Sequence, residues 1–145
     1  MLTTQQIFDK VALHLMTQLR TSRGPNPQFA PPASEAIVCY YRAENGDKCA
    51  AGCLISDEDY NPVIEGKDAK QQVVSDVLYK NGVDMTDREV SHLVVTLQIC
   101  HDRVPPRLED FDLSIHHSNR EGECWKTELV RIANEFRLDI PDCLK

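Results

Sequence analysis

The chain has 145 residues, 41% of them hydrophobic, 27% charged and 6% aromatic, which fits one globular domain and excludes disordered and collagen-like chains. Its 23 acidic and 16 basic side chains give a formal net charge of −7. Duplex nucleic acid and anionic membranes repel such a chain unless its few cations gather in one patch.

From the N-terminus, Phe8, Val11, Ala12, Leu15 and Leu19 recur at helical spacing, with Gln5, Asp9, Lys10 and Arg20 off that stripe. The pattern predicts an amphipathic helix over Thr4 to Thr21, capped by Thr3 or Thr4. Gln5, Gln6, Asp9, Lys10 and His14 interrupt the apolar residues, so the segment reads neither as a secretory leader nor as a membrane span. The expected location is the cytoplasm, with the six cysteines reduced. A proline-rich loop follows at about 22–34, holding four of the eight prolines.

Ile37, Val38, Tyr40 and Tyr41 favour a strand, and Asn45-Gly46 is a strong hairpin signal. Two antiparallel strands are expected, Ala36 to Ala43 and Lys48 to Ile55, the second lined with small residues against which a helix can lie. Ser56 and the acids after it start a short helix that Pro62 stops. Further helices are expected over Asp68 to Asn81, closed by Gly82, and from a Thr86 cap to Pro105-Pro106. The second of these turns Val90, Leu93, Val94, Leu97, Cys100, His101 and Val104 inward. A long connection then leads to a last helix from about Glu121 or Glu123 to Leu138, with Trp125, Leu129, Ile132, Ala133 and Phe136 on one face. The sum is an α+β domain over 1–145, about four helices packed on a small antiparallel hairpin sheet.

These elements offer residues for five chemistries. Zinc has soft donors in Cys39, Cys49, Cys53 and His101, with His116, His117 and Cys124 beyond. On a strand, however, Cys49 and Cys53 stand about 13 Å apart, too far to share an ion without a turn at Gly52. A cysteine hydrolase or transferase would use Cys49, or else Cys53, as nucleophile, His101 as base and Asp102 or another carboxylate to orient the ring, with Cys49 and His101 at its centre. Against both stands burial of thiols as small apolar groups, and a histidine near a helix C-terminus that serves packing. Asp57-x-Asp59-x-Asn61 imitates the start of a calcium loop, but Pro62 takes the position that needs glycine. The basic residues are scattered, so no nucleic-acid stripe is expected.

The acids Asp57, Glu58 and Asp59, with Glu109, Asp110 and Asp112, would make a strong negative patch for a basic partner if they met in space. Protein–protein binding is therefore the first expectation. The cysteine enzyme is the alternative, and a structural zinc protein comes third. No cofactor, nucleic acid or membrane is expected.

The residues Cys39-Tyr40-Tyr41-Arg42, Gly46-Asp47-Lys48-Cys49-Ala50 with Gly52, Leu54-Ile55, Asp57, Tyr60 and Glu65-Gly66 form a recognisable pattern. With Leu97-Gln98, His101-Asp102 and Trp125, it resembles a family of uncharacterised small proteins of phages and bacteria. The resemblance covers about half the chain and implies a phage or prophage protein, perforce without an assigned activity. Such a protein would act on a host or defence component as an inhibitor or modulator.

Overall fold

Four helices carry the apolar stripes: α1 (Thr4–Gln18), α2 (Gln72–Lys80), α3 (Arg88–Asp102) and α4 (His117–Glu135). They belong to a computed structural model that describes residues 1–25, 37–103 and 117–145. α1, α3 and α4 pack on one another. Their shared core holds Ile7, Phe8, Val11 and Leu15 from α1, Leu93, Val94 and Leu97 from α3, and Trp125, Leu129 and Ile132 from α4. Helix α2 buries Val74 and Leu78.

The helix ends follow local hydrogen-bonding chemistry. Thr3 and Gln6 form a reciprocal capping box at the start of α1, which ends at Leu19 in the left-handed conformation. Asp87, not Thr86, caps α3, its carboxylate accepting the amides of Glu89 and Val90. Thr86 instead donates its hydroxyl to Asp84. Ser56 and the acids after it make a single turn, and Pro62 opens a short 3-10 helix over Pro62–Ile64, capped by Asn61. Helix α4 begins at His117, ahead of the expected start. Val104 and the remainder of the proline-rich loop beyond Pro25 lie outside the described residues.

The expected α+β architecture is overturned: the fold is mostly helical. Strand pairing among the described residues is limited to two segments of three residues, β1 (Arg23–Pro25) and β2 (Ile37–Cys39), antiparallel with Arg23 opposite Cys39. That pair is far too small to serve as a sheet on which helices pack. The expected hairpin survives only as its turn. Gly46 sits at φ 89° and donates to the Ala43 carbonyl, while the Ala43 amide donates to Asp47, so the loop spans Glu44, Asn45 and Gly46. One isolated bridge, Arg42 opposite Lys48, is the whole ladder beyond it.

The hairpin stops because distant side chains take the backbone groups it needs. The Glu65 carboxylate accepts the amides of Tyr41 and Arg42, both at 2.9 Å. The Gln18 side chain accepts the Lys48 amide at 2.8 Å and donates back to the Lys48 carbonyl at 3.0 Å. Past Lys48 the chain coils. The Cys53 amide bonds to the Cys49 carbonyl, and a 3-10 turn runs over Gly52–Leu54 against α1. Gly52 makes this possible, since a Cβ there would stand 1.9 Å from the Tyr41 carbonyl oxygen.

Candidate functional site

The C-terminal turn of α3 delivers His101 and Asp102 to the end of β2, where Cys39 sits, and to Ser22, just before β1. His101 is fully buried, and its ring stacks on Trp125 with centroids 5.8 Å apart. The Ser22 amide donates to Nε2 at 3.0 Å. An amide can only donate, so Nε2 is an acceptor and the proton of the neutral ring is on Nδ1. Nδ1 in turn donates to Asp102 Oδ1 at 2.9 Å. Both ring nitrogens are therefore engaged.

Asp102 gathers three donors: His101, the Gln98 amide at 2.7 Å and the Cys39 thiol. Burial works to raise its pKa, but hydrogen bonds from His101, Cys39 and Gln98 outweigh it and hold the carboxyl below its ordinary value. The Cys39 thiol is pushed up to about 12, first by burial and then by the Asp102 carboxylate. Ser22, fully buried, ties the cluster to the chain around it. Its hydroxyl donates to the Asp47 carbonyl, and its own carbonyl accepts the Tyr40 amide. Gln98 is fixed from behind, its carbonyl oxygen accepting the Ala51 amide at 3.0 Å.

The other sequence candidates fall elsewhere. Cys49 is buried, its sulfur accepts the Gly52 amide at 3.3 Å, and burial raises its pKa well above the ordinary thiol value. The Cys53 thiol donates to the Ala50 carbonyl at 3.2 Å and is pushed up to about 12 by burial. No hydrogen bond joins Cys49 to His101 among the described residues, so the geometry offers no thiol–imidazole pair there. Asp57 is 79% exposed, yet it pairs with Arg42 at 2.7 Å and Lys48 at 3.0 Å; the Lys48 hydrogen bond first, then the Lys48 and Arg42 charges, hold its pKa down. Asp59 accepts from Ser56 and Asn81. Glu58 stands exposed between them. Glu109, Asp110, Asp112 and His116 lie outside the described residues.

Three groups escaped sequence reasoning: Ser22 as a backbone partner for His101, the Cys39–Asp102 contact, and Glu65 as the acceptor for Tyr41 and Arg42. The Ser22–His101 contact joins residues 79 apart in sequence, and no local pattern announces it. A surface depression of about 490 Å³ lies nearby, lined by Arg23, Gly24, Tyr40, Ala43, Glu44 and Asn45. No helix among the described residues is long and apolar enough to cross a membrane. Comparison with protein-family models, with curated proteins and with solved structures finds no match, so the family resemblance rests on the residue pattern alone.

Proposed function

We propose that the protein acts by binding a protein partner, one with a basic and partly apolar face, through the loop at residues 56–64. The observation that carries this reading is the preorganisation of that loop. The Ser56 amide donates to Asn81, Asp57 pairs with Arg42 and Lys48, Asp59 accepts from Asn81, and the Asn61 side chain caps Val63. Ile64 is fully buried and anchors its end. Between these pins Glu58 and Val63 face solvent, Val63 being 53% exposed. A loop already fixed in shape loses little conformational entropy on docking, and an exposed acid and an exposed apolar side chain on one loop suit a mixed basic and apolar surface. The net charge of −7 adds long-range attraction for such a partner.

The test is a comparison of variants. A partner recovered on the immobilised protein is expected to be kept by Cys49→Ala, lost by Glu58→Arg and Val63→Asp, and released as ionic strength rises. Equal recovery by Glu58→Arg and the parent protein would sink the proposal.

A further inference from the structure

We infer that Cys39, Asp102 and His101 form the ligand set of a single zinc-class cation. The inference is independent of the binding loop. One ligand atom from each residue, sulfur, carboxylate oxygen and imidazole nitrogen, lies within 4.8 Å of the other two. Bonds of about 2.0–2.3 Å around a tetrahedral zinc place donors roughly 3.3–3.8 Å apart, so shifts on the order of 1 Å close the set on an ion. The donor chemistry selects among metals: a thiolate with an imidazole suits zinc and its neighbours and disfavours magnesium and calcium.

The surroundings fit as well. Three protein ligands leave a fourth position for water or a further ligand, and Asp102, exposed at the surface, gives the ion its approach. Gln98 steadies the Asp102 carboxylate and is itself held by the Ala51 amide, which is the kind of outer support that orients a ligating carboxylate. This set differs from the one the sequence suggested. Cys49 and Cys53 turn to local backbone partners, and Asp102 replaces them beside Cys39 and His101.

Loading exchanges protons for the ion. The Cys39 thiol proton leaves to solvent, and the thiolate and the Asp102 carboxylate balance the two positive charges. The imidazole proton moves from Nδ1, which takes the metal, to Nε2. There it faces the Ser22 amide, a second donor at 3.0 Å, so the amide must turn away from the ring. Metal binding is thus coupled to release of the chain that leads into β1, and this strain sets the affinity below that of a closed four-ligand zinc site.

The experiment uses the full chain with Co²⁺ alone and Zn²⁺ alone. One equivalent is expected to bind, with Co²⁺ giving a thiolate charge-transfer absorption and with the Ser22 amide resonance shifting on loading. Cys39→Ser removes that absorption, and both Cys39→Ser and Asp102→Asn weaken binding at least tenfold while the circular dichroism stays native. Cys124→Ser leaves binding unchanged. Absence of saturable binding, an absorption that survives Cys39→Ser, or a Ser22 amide that does not respond would each overturn the assignment.

Discussion

His101 and Gly52 show how single residues hold the centre of this molecule. His101 satisfies a buried amide on one side and a carboxylate on the other. Replacing it with Leu strips both partners, and the expected loss is about 2–4 kcal/mol, measured by urea unfolding. Gly52→Ala drives a methyl group into the Tyr41 carbonyl, and about 3 kcal/mol or more is expected to be lost, since the blocking atom is backbone and cannot swing aside. His14 links stability to pH. Burial lowers its pKa, against the opposing effect of its hydrogen bond to the Lys48 carbonyl. The unfolded chain therefore takes up this proton near pH 6.5, before the folded one does. The stability it contributes is present above about pH 6.5 and is lost as pH falls through the lowered folded-state value. Urea midpoints are expected to drop between pH 7.5 and 5.5, and His14→Gln to flatten that dependence. Asp102, also lowered, loses its contribution only in the carboxylate range, below about pH 4.

At the level of elements, burial holds the helices and side-chain caps hold the starts of α1 and α3, while charge pairs add little. Asp87 accepts two amides at the start of α3, and Asp87→Ala is expected to cost about 1 kcal/mol, read from the thermal midpoint. Trp125 is fully buried on α4 and covers the His101 ring. Trp125→Ala is expected to cost about 3–5 kcal/mol. The pairs of Arg131 with Glu128 and Glu135 lie on the exposed face of α4, where such contacts add little. The segment between β2 and the 3-10 turn at Gly52–Leu54 has another logic. It holds its path because Gln18 and Glu65 bind its backbone from other parts of the chain.

Over the whole molecule, the interior sorts the thiols. Cys49 and Cys100 are buried, Cys39, Cys53 and Cys143 are partly covered, and Cys124 is exposed on α4. Alkylation of the native chain is expected to modify Cys124 first and Cys49 only at the rate of unfolding, with mass spectrometry giving the order. Rapid native modification of Cys49 would contradict the packing around it. The same sorting moves attention from Cys49 to the cluster at Cys39, where a half-covered thiol meets Asp102 near the surface.

The sequence by itself determined the four helices and most of their inward faces, because helical periodicity, caps and terminators act over a few neighbouring residues. It placed Val90, Leu93, Val94, Leu97, Cys100 and His101 on the face that the structure buries. It also located the turn at Asn45-Gly46. Only the tertiary structure decided what that turn connects. Strand propensity at Ile37 to Tyr41 is realised only over Ile37–Cys39, and against β1 instead of the expected hairpin partner; beyond it Glu65 takes the Tyr41 and Arg42 amides and Gln18 from α1 takes the Lys48 amide, so the hairpin strands do not pair. The meeting of Ser22, Cys39, His101 and Asp102 was hidden for the same reason: its contacts span most of the chain, and no local spacing encodes them.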